Sequence, residues 1–157
     1  MRSTELLKQQ HRALERLVGE AISSQGPERI RLLGRLAEEL TLHTALEEEH
    51  LFPALQRSGL ERRAALSQEE DQRISALVAE ILELKRHDPR LDAKVRELAQ
   101  ATREHLSAEE RTVLPALEEA FSAEQLESMG EAMNHMAERL RGSELLKLAG
   151  DRESANA

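Results

Sequence analysis

The sequence contains no cysteine, tryptophan or tyrosine, and only two phenylalanines. Without thiols the chain cannot form disulfides, thiolate zinc sites or iron–sulfur clusters, so any bound metal must take nitrogen and oxygen ligands. Aromatic and β-branched residues are scarce, whereas leucine and alanine dominate the 39% of apolar residues. This composition favours helices over sheets. We therefore expect an all-α protein.

Long apolar runs are also missing, since none approaches the roughly twenty residues that a membrane span requires. The N-terminus lacks an apolar signal core, so we expect a cytoplasmic protein without membrane contact. The formal net charge is −8, which gives phosphate backbones and anionic lipids no general attraction. Nucleic acid is therefore not an expected partner.

One motif occurs twice in the chain, as HTALEEEHLFPAL from His43 and as HLSAEERTVLPAL from His105. Each copy contains His-x3-Glu, a second Glu, and a proline ten residues after the histidine. Residues four apart lie on one face of an α-helix, so each copy presents an imidazole beside a carboxylate. A single such pair is more often a solvated ion pair. The repetition favours a pair of metal ligands.

Apolar periodicity, capping residues and turn signals predict five helices in one domain over residues 1–142, with the bundle over about 4–120 and a further helix over about 123–141. Residues 143–157 are expected to form a polar, flexible tail. The predicted helices begin after Ser3 or Thr4, at Pro27, at the capping box of Ser67, at Leu91 and at the capping box of Ser122. Their predicted ends are Ser23 or Ser24, Ser58-Gly59, Arg86, Glu119 and Gly142. Pro53 and Pro115 should kink the two long helices near their ends.

A second internal similarity relates the first helix to the third at an offset of sixty residues, and it places Asp71 in the position equivalent to His11. His11 lies on the apolar stripe of its helix, where a histidine is more often a hydrogen-bonded core residue than a ligand. Asp71 could equally be an acidic residue in the first turn of a helix, where it interacts favourably with the helix dipole. The equivalence makes both residues candidate ligands. Neighbouring Gln72 lies on the opposite side of the helix from the apolar stripe and is expected to be solvated.

Two helix pairs with short connections predict an up-down-up-down antiparallel bundle in which both motifs and both short helices meet at one end of the core. The predicted ligand set is His11, His43, Glu47, Asp71, His105 and Glu109. Three buried carboxylates would repel one another unless cations neutralise them, and six ligands suit two ions that share Glu47 and Glu109. His50 lies on the same helix face, either lining the pocket or supplying an additional imidazole. His87 and His135 are expected to be exposed.

These motifs resemble the hemerythrin-like family of HHE cation-binding domains over about residues 5–120. The resemblance rests on His11-Arg, on the Glu70-Asp71 segment and on the two His-x3-Glu-Glu-x4-Pro motifs. It implies a hemerythrin-type bundle holding two iron ions, oxo- or hydroxo-bridged, that bind or react with oxygen, peroxide or nitric oxide. It also implies terminal histidine ligands and bridging glutamates.

Asp71 departs from the family pattern, which usually has Glu-His at this point. An added carboxylate should favour the ferric state, so the site looks closer to those that consume oxygen or peroxide, or to a manganese or mixed-metal site. The alternatives are an oxidase or peroxidase, and a metal-free regulatory bundle. The methionines of the fifth helix, Met129, Met133 and Met136, indicate packing and leave open a homodimer through that helix.

Overall fold

A computed structural model describes residues 1–143, and it is helical throughout, with no strand in that range. The predicted tail over 143–157 lies outside the described residues, apart from Ser143. The helical segments are α1 (Ser3–Ser23), α2 (Gly26–Leu46), a first π-turn (Glu47–Leu51), α3 (Phe52–Arg57), α4 (Glu61–Glu83), α5 (Leu91–Ala108), a second π-turn (Glu109–Val113), α6 (Leu114–Ala120) and α7 (Ala123–Arg141). Within residues 1–143, no helix is long and apolar enough to span a membrane.

Four helices form the bundle, because each π-turn joins its two flanking segments into one long helix. α1 packs on α2 and α4 packs on α5, while α1 also contacts α5. This is the predicted all-α bundle of two helix pairs, with α7 added against α1 and α2.

Two apolar clusters fill the bundle, one on each side of a polar layer. On α1, Leu14 belongs to the first cluster and Leu7 to the second, and His11 lies between them. On α2, Leu40 and Leu46 bracket His43 in the same way. The polar layer is therefore enclosed by leucine above and below, which keeps water away from it.

The predicted start of the third helix was wrong by about two turns. α4 begins at Glu61, two residues after Gly59, whose φ of 75° turns the chain in a conformation that glycine adopts without strain. Ser67 is consequently inside the helix and buried, and its hydroxyl donates to Glu109 Oε2 at 3.2 Å. The serine of the Ser-x-x-Glu pattern is therefore not a cap, and its side chain reaches the polar layer instead. α4 also ends at Glu83, earlier than predicted.

The start of α1 also differs from the prediction, since Arg2 takes the N-cap position. Its backbone amide donates to Glu5 Oε2 at 3.1 Å. Ser3 and Thr4 are both buried, because the N-terminus lies directly against α7 at Gly130. A Cβ at Gly130 would stand 2.1 Å from the Met1 carbonyl oxygen, so only glycine permits this approach.

The proline of each long helix closely follows a π-turn. In the first, the Phe52 amide donates to the Glu47 carbonyl, and in the second the Leu114 amide donates to that of Glu109. These bonds span five residues instead of four, so each long helix contains one extra residue. π-turns within α-helices often occur at functional sites. Here each one begins at the glutamate of a His-x3-Glu motif.

The methionine stripe of α7 packs against the chain's own core. Met133 is fully buried, and Met129 and Met136 are partly buried against the second apolar cluster. The capping box at Ser122 is confirmed, since Ser122 and Gln125 exchange backbone-to-side-chain hydrogen bonds. This helix therefore closes one side of a single chain.

Candidate metal centre

Six charged or imidazole side chains form the polar layer, and none is more than 2% exposed. α1 contributes one imidazole, α4 one carboxylate, and each long helix an imidazole from its α-helical part and a carboxylate from the first residue of its π-turn. These are the six residues expected from the sequence: His11, His43, Glu47, Asp71, His105 and Glu109. The structure brings all six together.

The Nε2 atoms of the three imidazoles face the carboxylates. His11 Nε2 is 3.0 Å from Glu109 Oε1, and His43 Nε2 is 2.8 Å from Glu47 Oε1. His105 Nε2 is 2.9 Å from Asp71 Oδ1 and 3.4 Å from Glu109 Oε2. Basic nitrogen and carboxylate oxygen therefore converge from four helices.

Several of these close approaches are not hydrogen bonds. His43 Nε2, His105 Nε2, both Glu47 oxygens and Asp71 Oδ2 are buried and have no hydrogen-bond partner among residues 1–143. Leaving such groups unpaired in a dry interior costs about 1–3 kcal/mol each, and more when they are charged. Bound cations would satisfy these lone pairs, so the donor set fits metal ions.

The donors divide into two groups, in each of which the ligand atoms lie within 4.8 Å of one another. The first group has four members, with two imidazoles and two carboxylates; the second has three, with one imidazole and two carboxylates. The first comprises His11, His43, Glu47 and Glu109, and the second Glu47, Asp71 and His105. Glu47 belongs to both, as expected of a carboxylate placed between two ions.

The outward-facing Nδ1 atom of each imidazole has its own partner. His43 Nδ1 donates to the side-chain oxygen Oε1 of Gln10 at 2.9 Å, and His11 Nδ1 lies 2.9 Å from Glu110 Oε1. His105 Nδ1 is bonded to Glu70 Oε2. With the proton of His43 held on Nδ1, its Nε2 lone pair faces inward, as metal-binding histidines require.

None of these three partners is predicted by the sequence motifs. Each of them is adjacent in the chain to a predicted ligand, as in Gln10-His11, Glu70-Asp71 and Glu109-Glu110. The signal that was available is the acid doublet, which was used only to relate the two motifs. In the second copy of the motif, the second glutamate of the doublet is Glu110. It lies outside the polar layer and is partly exposed.

The pKa values of the layer shift in different directions from one residue to another. Burial lowers the pKa of His43 to about 4, so this imidazole is neutral at neutral pH. Burial, together with the nearby Glu109 and Asp71 carboxylates, raises the pKa of Glu47 well above its usual range. Burial would raise the pKa of Glu109 as well, but the hydrogen bond with His11 reverses the effect and lowers it. For His105, burial is outweighed by Asp71, Glu109 and Glu70, which raise its pKa to about 9.

The other three histidines lie outside this layer. His50 is half-buried in a groove beside α7, with Arg57, Gln125 and Met129, and it belongs to neither donor group. The extra residue of the π-turn changes the angular position of everything after Glu47, so the face assigned to His50 from a uniform helix does not apply. His87 and His135 are exposed, as predicted.

The fold and the donor set together define a metal-binding helical bundle with a buried histidine–carboxylate layer. The model of the hemerythrin HHE cation binding domain matches residues 2–117, so the chain belongs to this family.

Two further similarities extend this assignment. The crystal structure of a hemerythrin HHE cation binding domain-containing protein from Mycobacterium kansasii superposes with a TM-score of 0.85 at 26% identity, and covers 98% of this chain and 99% of that one. A DNA nickase of Nostoc sp. (strain PCC 7120 / SAG 25.82 / UTEX 2576) is 27% identical over 128 residues, which is 81% of this chain. The chain spans only 36% of the length of that relative.

Proposed function

We propose that the buried layer holds two iron ions and that this non-heme centre binds or reacts with oxygen, peroxide or nitric oxide. The observation that carries the proposal is the set of buried, unpaired nitrogen and oxygen atoms from four helices. The ligands would be His11, His43, Glu47, Asp71, His105 and Glu109. The choice of iron follows from the family resemblance; manganese or a mixed pair would also suit these ligands.

The chain's own contribution is to prepare the ligands and keep water out. The Nδ1 partners Gln10, Glu70 and Glu110 hold each ring in one orientation, with Nε2 directed at the metal position. Ser67 donates to Glu109 Oε2 and fixes the rotamer of that carboxylate. When bound, iron would supply the electrons for reaction with a small oxidant.

An oxidase or peroxidase is a second candidate, favoured by Asp71. Asp71 occupies the position that His11 occupies in the first half of the chain. Its carboxylate adds negative charge, which stabilises the ferric state. Such a site would favour turnover of oxygen or peroxide over reversible carriage. A metal-free bundle is the weaker alternative, because it would leave the five unpaired buried atoms without compensation.

We do not extend DNA nicking to this chain. The similarity to the nickase covers about a third of that protein, and the net charge of −8 offers a phosphate backbone no general attraction.

Metal analysis of protein purified without chelators, combined with its absorption spectrum, tests the proposal. We expect two irons per chain and charge-transfer bands, which the absence of Trp and Tyr leaves unobscured in the near ultraviolet. His43→Ala should lose both the metal and any peroxide turnover, whereas the exposed His135→Ala should keep them. Absence of bound metal after anaerobic addition of ferrous iron would refute the proposal.

A further inference from the structure

A cleft of about 480 Å³ opens between α4 and the second long helix and borders the polar layer. Its floor contains Ser67 and Glu109, which are themselves joined by a hydrogen bond. Neither the groove beside His50 nor the cavity beside Gln9 and Arg141 is lined by one of the six candidate ligands. The cleft therefore borders the polar layer at one of the six candidate ligands.

The size of the cleft exceeds what a diatomic gas or peroxide needs. Its volume falls within the roughly 300–1,000 Å³ typical of sites for organic ligands. Its walls are mainly apolar, with Leu60, Leu66 and Val113 among the lining residues. Leu66 is 57% exposed, although it is a large apolar side chain at the mouth of a cleft. An apolar ligand that covered this side chain would remove its surface from water.

Two arginines at the rim give the cleft a charge preference. Arg62 and Arg63 are exposed, and neither forms an ion pair with an acid within residues 1–143. Arg63 donates only to the Thr112 carbonyl oxygen, at 2.9 Å. Three acids also line the cleft. Glu70 is engaged with His105, and Glu109 with His11 and Ser67, which leaves Glu61 against the two arginines. Free guanidinium groups beside an apolar wall suit a ligand with an anionic head and an apolar body.

We propose that this cleft binds a small amphipathic organic anion, such as an aromatic or aliphatic carboxylate, with the head at Arg62 and Arg63 and the apolar body against Leu66 and Val113. The ligand would then lie beside Glu109. Any reaction of that ligand at the centre rests on the proposed function, but its binding does not require metal.

Fluorescence titration of metal-free protein with anilinonaphthalene sulfonate tests the proposal, since the chain has no Trp or Tyr to interfere. We expect one saturable site per chain, with the probe displaced by naphthoate and much less by the uncharged naphthalenemethanol. Leu66→Ala and Arg62→Gln should each weaken binding by about fivefold.

Two controls locate the site. Arg73→Gln makes the same charge change on the exposed face of α4 outside the cleft, and Ala132→Phe fills the separate groove beside His50. Neither should alter the affinity. Unchanged affinity in Leu66→Ala and Arg62→Gln, or loss of binding in Ala132→Phe, would overturn the proposal. Metal content measured on the same samples reports separately on the metal centre, so either proposal can fail alone.

Discussion

Gln10 and Glu70 lie sixty residues apart on equivalent helices and make equivalent hydrogen bonds. Gln10 accepts from Nδ1 of His43, and Glu70 is bonded to Nδ1 of His105. In each half, therefore, the short helix orients the histidine of its long helix. The internal repeat thus extends beyond the ligands to the residues that position them.

Removing the acceptor at Gln10 should weaken metal binding without removing a ligand. Gln10→Leu leaves His43 Nδ1 unpaired and frees the ring to turn, so we expect a loss of about 10–100-fold in metal affinity. Gln10→Glu keeps an acceptor, as Glu70 does, and should retain the affinity. Competition titration with a chelator measures both, with Gln9→Leu at the exposed neighbouring position as the control. Equal affinities for Gln10→Leu and Gln9→Leu would contradict the proposed role.

Asp71 belongs to the donor group with only three members, so its loss should affect one ion more than the other. Asp71→Ala is expected to lower the metal content from two ions per chain towards one, because His11, His43, Glu47 and Glu109 remain. Asp71→His should keep both ions and raise the reduction potential, since a neutral ligand replaces a charged one. Metal analysis and redox titration check the two variants. Loss of both ions from Asp71→Ala would show that the positions are not independent.

Metal uptake should release protons near neutral pH. In the metal-free chain the pKa of His105 is raised to about 9, so this imidazole holds a proton that a cation must displace, and the raised pKa of Glu47 acts in the same direction. His43, whose pKa is about 4, has none to lose. Metal affinity should therefore increase with pH from about 6 to about 9. Calorimetry in buffers of different ionisation enthalpy counts the protons, and a pH-independent affinity over this interval would contradict the expectation.

Glu47→Gln should stabilise the metal-free chain while impairing metal binding. Because the folded-state pKa of Glu47 lies above its unfolded value, its contribution to stability is complete below the unfolded value and is lost as pH rises through the folded one. The amide does not ionise, so its advantage should grow as the pH rises. Denaturant unfolding of both chelator-treated proteins at about pH 5 and about pH 8 measures this difference. An advantage that shrinks with rising pH would contradict the assignment.

Gly130→Ala should destabilise the fold, because the new methyl group would meet the Met1 carbonyl and the Ser3 amide. Backbone atoms cannot yield as a flexible side chain does, so we expect a loss of about 1–3 kcal/mol. Gly19→Ala is the matched control within a helix, where the nearest atom is 3.8 Å away and a gain of about 0.5–1 kcal/mol is expected. Thermal unfolding compares the two, and similar shifts would show that the N-terminus is not held against α7.

The bundle and its polar layer could be predicted because they depend on short-range periodicity and on an internal repeat. His43 and Glu47 are four residues apart, so one helix suffices to bring them together. The start of α4 could not be predicted from local pattern, since Ser67 matches a capping box but its hydroxyl is used by Glu109 on another helix. His50 was misplaced for a related reason. A uniform period was assumed through Glu47–Leu51, and the extra residue of the π-turn is not encoded by polarity alone.

The two π-turns have a consequence for how the chain would respond to losing its metal. Each begins at a candidate ligand glutamate, so the least regular backbone of both long helices lies in the middle of the molecule instead of at its ends. In most helical proteins amide exchange with solvent is fastest at frayed termini. Here bound ions would hold the side chains of Glu47 and Glu109. The amides of residues 48–52 and 110–114 should then exchange more slowly in the metal-bound protein, and their exchange rates would report metal occupancy from inside the core.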